Sequence, residues 1–222
     1  MFTRNQPDEH NVWISFADLF SGFMVIFIVV SLALFQRDTE LEQAKYHELA
    51  TVFKNKLESS SIRSMVSVAD NATIRFATDN VKSALFLDGD ANPQPKILKA
   101  IDVFIPIFYG ELQKFYKESK QKDAKFEISE VRIEGHTNQV GSYLFNLNLS
   151  SNRALEVQKY IINKLENDGN FSKSFVQFIK MNSISCGYSF SRMLDSKGNL
   201  TQSKPDTVKS KRVEFRILLR KK

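Results

Sequence analysis

One apolar stretch near the N-terminus constrains this chain more than any other feature. From Val12 to Phe35 the 24 residues contain a single charged side chain, Asp18, whereas the sequence after Gln36 has the mixed composition of a water-soluble protein. As a helix the stretch would be about 36 Å long, and about 20 residues suffice to cross the hydrocarbon core of a bilayer. The sequence therefore predicts one transmembrane helix over residues 12–35.

A cleaved secretion signal is the alternative interpretation of this stretch. Ser31 and Ala33 form a small-x-small pair of the kind that signal peptidases cut. However, the preceding residues carry one arginine and two acids, and the apolar run is long for a signal. We therefore favour a retained anchor. Its orientation is not set by charge, because Arg4 on one side and Arg37 on the other nearly balance.

Asp18 is the candidate functional residue of the stretch. A carboxylate is costly in hydrocarbon, so acidic residues in transmembrane helices usually face a partner or a water-filled path. The alternative is that Asp18, only six residues from Val12, lies at the interface and merely reaches toward water. Position alone does not decide between the two.

The residues around Asp18 resemble a known motif. Residues 13–20, W-I-S-F-A-D-L-F, and the apolar run 23–30 resemble the signature of B subunits of ion-driven stator units, the MotB family and its relatives. The W-I-S-F-A-D spacing is similar to the ZorB proteins of Zorya anti-phage systems. The resemblance implies that Asp18 carries the ion, which we expect to be a proton. It also implies two copies of the chain inside a pentamer of MotA- or ZorA-like partners, with a cytoplasmic N-terminus and a periplasmic C-terminal domain in the bacterial inner membrane.

The segment after the membrane stretch predicts a further helix. It contains no glycine or proline, and apolar residues recur in it at roughly helical spacing. These residues are Leu41, Ala44, Leu49, Val52, Phe53 and Leu57. We predict a helix that continues out of the membrane and could pair two copies as a homodimer. The predicted order is a cytoplasmic segment 1–11, a transmembrane helix 12–35, a helical linker 36–61 and a domain 62–222.

Strand and helix patterns alternate in the rest of the chain. The predicted strands are 63–68, 73–77, 126–134, 184–187 and 212–219, and the predicted helices are 97–115, 149–165 and 171–180. Ser150 is placed as the N-cap of the second of these helices. Helices that alternate with strands after an opening hairpin predict an α+β fold, with the helices on one face of a mixed sheet.

Several motifs in this region resemble the C-terminal domains of the OmpA family. The family pattern G-H-T-D…G-S…Y-N…L-S…R-A is matched, in order, by Gly135-His136-Thr137-Asn138, Gly141-Ser142, Asn146, Leu149-Ser150 and Arg153-Ala154. Cys186-Gly187-Tyr188 and Lys211–Glu214 resemble later elements of the pattern, and Phe86 and Gly89 an earlier one. Separate motifs in the right order are far more specific than any one of them.

The OmpA-like resemblance implies a peptidoglycan-binding site. In that family the ligand is the diaminopimelate stem, which carries a carboxylate and an ammonium on one side chain. The resemblance makes Arg153 the guanidinium that holds the carboxylate, with Thr137, Asn146 and Arg212 as further binding residues. Asn138 stands where the family has aspartate, so we expect weaker binding of the ammonium. The loop residues could instead only shape the turn.

The sequence contains no recognisable catalytic constellation. Its three histidines, His10, His47 and His136, are far apart, and neither a nucleophile elbow nor a phosphate-binding loop is present. The net charge is +6, but no nucleic-acid-binding motif accompanies it. We therefore expect a protein that is not an enzyme and has no metal, no cofactor and no nucleic-acid partner. Its single cysteine, Cys186, precludes an internal disulfide.

Three functions follow, in order of preference. The first is a proton-driven stator B subunit that anchors a motor to peptidoglycan, in phage defence if the likeness to ZorB holds. The second is a passive wall anchor of another envelope machine, in which Asp18 only packs or lies at the interface. The third is a secreted wall-binding protein released by cleavage near Leu34.

Overall fold

The computed structural model describes residues 9–77 and 85–222, with side chains from residue 13 onward. The predicted cytoplasmic segment, residues 1–11, lies largely outside the described residues. Two compact units divide the chain, Met1–Lys45 and Tyr46–Lys222. In chain order the elements are α1 (Glu9–Glu58), β1 (Val66–Val68), β2 (Ile74–Phe76), α2 (Pro95–Glu118), β3 (Phe126–Gly135), α3 (Tyr143–Asn167), α4 (Lys173–Asn182), β4 (Ser183–Gly187) and β5 (Val213–Lys221).

In the first unit the apolar stretch is helical throughout. Its large side chains, from Trp13 to Phe35, are exposed on every side of α1, a pattern expected of a membrane-spanning helix. Within the described residues α1 is the one helix long and apolar enough to cross a membrane, by its length and composition.

In the second unit the last turns of α1 form part of the domain core. Leu49, Phe53 and Leu57 are buried, and the ring of Phe53 lies 5.2 Å from that of Phe108. These three residues belong to the apolar stripe that was predicted to pair two copies of the chain. That prediction is wrong for them, because the same chain already buries their side chains.

A five-stranded mixed sheet carries the second unit. The strand order is β1-β2-β5-β3-β4, in which β3 and β4 are parallel and all other neighbours are antiparallel. Helices α2, α3 and α4 all contact β3. The predicted α+β class and mixed sheet are confirmed.

The two faces of the sheet differ in chemistry. The face toward the helices is apolar, with Ile133 and Phe215 paired across β3 and β5 and both buried. The other face carries charged residues, such as Glu134 opposite Glu214. A β-bulge lies between Ile128 and Glu130 and resets the alternation of side chains.

Helix α3 begins earlier than the sequence indicated. It starts at Tyr143 with Ser142 as its N-cap, whose side chain accepts a hydrogen bond from Phe145 N. The prediction of Ser150 as the cap is wrong, because Ser150 lies inside the helix and is fully buried. Gly141, with φ of +97°, ends the preceding loop in a conformation that favours glycine.

Candidate functional site

The motif residues meet at one end of the sheet, where β3 ends and β5 begins. Backbone hydrogen bonds join the segments there: His136 N donates to Arg212 O (3.0 Å), and Tyr188 N donates to Gly135 O (2.9 Å). Thr137 N donates to the carbonyl of Ser189 (2.9 Å). These bonds join three parts of the chain that are distant in sequence: residues 135–137, 188–189 and 212. We call this region, together with the loop between β3 and α3, the loop end.

Close packing of α3 explains the glycines of the motifs. A Cβ atom at Gly135 would lie 2.0 Å from the backbone oxygen of Ser150, and one at Gly187 would lie 2.4 Å from its hydroxyl. The Ser150 hydroxyl also accepts a hydrogen bond from Ser189 N (3.0 Å). Only glycine allows the helix to approach the ends of β3 and β4 this closely.

Arg153 is buried and fully engaged by a neighbouring loop. Its side chain is 1% exposed, with Nε donating to Asp90 O and Nη2 donating to Leu87 O, both at 2.9 Å. The guanidinium lies 4.7 Å from the ring centre of Phe86. Burial lowers the pKa of Arg153 to about 10, while the nearby carboxylates of Asp88 and Asp90 act in the opposite direction. Arg153 therefore holds the loop 85–90 in place.

Asn138 and Asn146 shape the loop between β3 and α3. The side-chain oxygen of Asn138 accepts a hydrogen bond from Val140 N (3.3 Å). The amide of Asn146 donates to Val140 O (2.8 Å) and Ser142 O (3.1 Å), and the residue is buried. The Thr137 hydroxyl is buried and finds no hydrogen-bond partner among the described residues. Their ligand-binding roles stay a prediction, beside this observed structural role.

The Arg212 side chain is held by Glu214, its neighbour two residues on in β5. It is 1% exposed, and its Nε donates to Glu214 Oε1 at 2.6 Å. Arg75 Nε also donates to Glu214 Oε1, at 3.0 Å. Burial lowers the pKa of Arg212, and the adjacent carboxylate of Glu214 opposes that shift. The backbone carbonyl of Arg212 takes part in the loop end by accepting from His136 N, and its guanidinium charge helps to lower the pKa of His136.

A second buried carboxylate, Glu134, lies beside the group formed by Glu214, Arg75 and Arg212. We call these residues and their other arginine partners the charged cluster. Glu134 is fully buried and accepts from Arg216 Nε (3.0 Å) and Arg192 Nη1 (3.4 Å). His136, also fully buried, has its Nε2 atom 3.9 Å from Glu134 Oε2. Burial lowers the pKa of His136 well below its ordinary value, and the surrounding guanidinium groups lower it further. The imidazole is therefore neutral at physiological pH.

The same cluster has the residue types of a metal site but not its electrostatics. Ligand atoms of Glu134, His136 and Glu214 lie within 4.8 Å of one another. Both carboxylates, however, already accept hydrogen bonds from arginines, and four guanidinium groups surround two carboxylates. Such an excess of positive charge repels a cation, so these residues do not fit a metal ion.

Sequence reasoning did not identify this charged cluster. A signal was present in the alternation R-I-E at 132–134 and R-V-E-F-R at 212–216, which places charges on one face of each strand. The pairing of Glu134 with Glu214 across β3 and β5 depends on the register, which the sequence alone does not give.

Asp18 belongs to the first unit and lies on α1. Ser15, Ser21 and Gly22 stand three or four positions away and therefore share its side of the helix. A Cβ atom at Gly22 would meet no other atom within 4 Å, and the Ser21 hydroxyl is turned back onto Ala17 O (2.7 Å). Three small residues thus flank Asp18 on this face, beside the larger Ile14, and small residues are what allow a second helix to approach closely.

Comparison with known proteins first concerns the second unit. Residues 108–175 match the OmpA family. Among solved structures, a MotB-like protein from Desulfovibrio vulgaris aligns at 17% identity with a TM-score of 0.48, covering 85% of this chain and 96% of that one. The cell wall anchor of the type VI secretion system from Pseudomonas aeruginosa aligns at 16% identity with a TM-score of 0.43, covering 73% and 94%.

A curated relative extends the likeness to the N-terminal apolar helix. The Zorya protein ZorB of the Crooks strain of Escherichia coli is 27% identical over 236 residues, which cover 97% of this chain and 90% of that protein. A ZorB from a second Escherichia coli strain is 25% identical over 162 residues, covering 68% of this chain and 61% of the relative. The chain is thus similar to ZorB over nearly its whole length and contains an OmpA-type match within its second unit, as its motifs predicted.

Proposed function

We propose that this chain is the B subunit of a proton-driven, stator-like motor that is anchored to peptidoglycan and serves anti-phage defence. One observation carries the proposal: a helix with a lone carboxylate in its apolar run is joined to an OmpA-type domain, and the likeness to ZorB spans both parts. Two copies of the chain would work inside a pentamer of MotA/ZorA-like partners, with the N-terminus cytoplasmic and the domain periplasmic.

Wall binding in this proposal takes place at the loop end. Arg153 would exchange its backbone carbonyl partners for the diaminopimelate carboxylate, which a guanidinium can hold through two hydrogen bonds. The amide oxygen of Asn138 would accept from the ammonium. Asp88, whose side chain is 88% exposed and pairs with Lys211 at 2.8 Å, adds negative charge near Arg153. That charge partly replaces the carboxylate that Asn138 lacks.

Sedimentation of the full chain with purified diaminopimelate-type peptidoglycan tests the wall-binding site. Asn138→Asp restores a charged acceptor and should increase the bound fraction, because charge-assisted hydrogen bonds are about twice as strong as neutral ones. Arg153→Ala should abolish binding. Asn163→Asp, at an exposed position of α3, adds the same charge elsewhere and serves as the control. If neither Asn138→Asp nor Arg153→Ala changed the fraction that sediments with peptidoglycan, this site would be removed from the proposal.

Ion carriage is assigned to Asp18. The small residues on its face of α1 support a close helix partner, in whose presence a proton on the carboxyl would change how the partner packs. Asp18→Asn should abolish phage restriction while membrane insertion and peptidoglycan binding persist. Asp38→Asn, beyond the apolar run, is the matched control. Full restriction by Asp18→Asn would leave the passive wall anchor as the function.

A further inference from the structure

The second unit is strongly basic at the end opposite the loop end. Seven cationic side chains lie there on the last turn of α2, the turn before β3 and the last residues of β5, against three acidic ones. The cations are Lys117, Lys120, Lys122, Lys125, Arg220, Lys221 and Lys222, and all are exposed. We call this surface the basic end.

Backbone and side-chain contacts make the basic end one continuous surface. Lys222 N donates to Lys125 O at 3.0 Å, and the Lys222 ammonium donates to the carbonyl of Ser119. The pKa of Glu127 is lowered by its hydrogen bond with Arg220 and by the charges of Lys222 and Lys120. Residues from the middle and from the last strand of the second unit are thus held side by side, with positive charge in excess.

The chain enters the second unit at this same end. Leu219 N, next to the cationic tail of β5, donates a hydrogen bond to the Tyr46 hydroxyl at 2.9 Å. Tyr46 is the first residue of the unit. Ten residues separate it from Phe35, the last residue of the apolar run, and the eleven helical steps between the two span about 16 Å. The basic end is therefore tethered within a short reach of the bilayer.

The loop end lies at the far end of the same strands. Strand β3 runs from Phe126, beside the basic end, to Gly135 at the loop end. Ten residues of strand measure about 33 Å. One end of the domain therefore carries the candidate wall-binding residues, while the other carries the cationic surface and the connection to the membrane helix.

We propose that the basic end docks on anionic phospholipid headgroups of the membrane that holds α1. Each lysine or arginine near an anionic bilayer favours the docked state about fivefold, provided that it lies within a Debye length, about 8 Å at physiological salt. Docking in this way directs the loop end away from the bilayer. The inference goes beyond the proposed function, since it requires neither ion transport nor a binding role for Arg153.

Lysine footprinting of the full chain in nanodiscs tests this docking. One set of discs contains zwitterionic lipid alone, and the other contains about a third anionic phosphatidylglycerol, a fraction well able to attract polybasic surfaces. An amine-reactive reagent reports the exposure of Lys120, Lys122 and Lys125 by mass spectrometry. We expect their labelling to fall several-fold in anionic discs and to recover at 1 M salt, where the Debye length is about 3 Å. Labelling of Lys197 and Lys204, exposed on the loop before β5, should not change.

A pair of triple variants makes the test specific. In K120Q/K122Q/K125Q the docked-to-undocked ratio should fall about 100-fold, so the labelling of Lys221 and Lys222 in anionic discs should rise toward its level in zwitterionic discs. K99Q/K197Q/K204Q removes the same charge from other exposed positions and should behave as wild type. Equal labelling of the wild-type basic end in both discs overturns the proposal. So does protection that appears only when peptidoglycan is added to zwitterionic discs, which would make the wall its partner.

Discussion

At the scale of single residues, the loop end depends on positions that leave no room for a side chain. Gly135 and Gly187 receive the backbone and hydroxyl of Ser150 at distances that exclude a Cβ atom. The glycines of the motif therefore act through packing, because they bring α3 onto the ends of two strands. This contact between the helix and the strands also fixes the position of the residues that follow, such as Thr137.

Substitution of Gly135 by alanine tests that contact. The added Cβ would lie 2.0 Å from a backbone oxygen, so the helix or the strand must shift, and we expect a loss of about 3 kcal/mol in the free energy of unfolding. Urea unfolding followed by circular dichroism measures it. Gly110→Ala, inside α2 where a Cβ meets nothing within 4 Å, should instead gain about 0.5–1 kcal/mol. Equal effects of the two substitutions would contradict the packing argument.

His136 makes stability depend on pH. Its pKa is far below 6.5 in the folded unit, whereas an unfolded histidine titrates near 6.5, so the unfolded state binds more protons below that pH. Stability should therefore fall as the pH drops from about 6.5, by up to about 1.4 kcal/mol per pH unit. His136→Phe keeps a ring beside Tyr188 but cannot titrate, so its stability should stay nearly flat between pH 6.5 and 5.

Urea unfolding at several pH values compares the slopes. The exposed His47 supplies the control, since His47→Gln should retain the pH slope of the wild-type chain. A slope that persists unchanged in His136→Phe would show that another group is responsible.

The sequence predicted which residues lie at the candidate site better than it predicted what their side chains contact. The spacing of the motifs identified the loop after β3, Arg153 and Arg212 by number. It did not show that Arg153 holds the loop 85–90 or that Arg212 pairs with Glu214, because both contacts join residues far apart in the chain. Contacts of this kind depend on strand register and helix packing, which local patterns do not encode.

At the scale of elements, helix and strand types were predicted well and their limits less well. Strand β3 was predicted over 126–134 and extends one residue further, to Gly135. Helix α3 begins six residues before its prediction, because its first turns expose Leu144 and Phe145 and so lack the amphipathic pattern that marks a surface helix. The cap at Ser142 rather than the apolar pattern sets where the helix begins.

The end of α1 gives a prediction at this scale. Phe53 is fully buried against Phe108, so Phe53→Ala should lower the free energy of unfolding of the second unit by about 3–5 kcal/mol. Lys54→Ala, at the next and exposed position, should change it by less than about 0.5 kcal/mol. Thermal unfolding of the full chain in detergent distinguishes the two. If Phe53→Ala were as mild as Lys54→Ala, the last turns of α1 would not belong to the domain core.

At the scale of the whole molecule, one chain combines two kinds of chemistry in separate units. The first unit has an apolar run with one carboxylate, and the second has an apolar core, a charged sheet face with buried carboxylates and a loop end with OmpA-type motifs. Each unit could be recognised from its own pattern in the sequence. What the proposal adds is that the two act together, since a carboxylate that moves protons performs work only if the chain that carries it is held.

Proton flux through the assembled complex tests that account most directly. The full chain would be reconstituted with its MotA-like partner in liposomes under an imposed pH gradient, with a fluorescent dye reporting internal pH. The account predicts that Asp18→Asn reduces the flux to that of liposomes without protein, while Asp38→Asn conducts like the wild type. Wild-type flux through a complex that carries Asp18→Asn would contradict it.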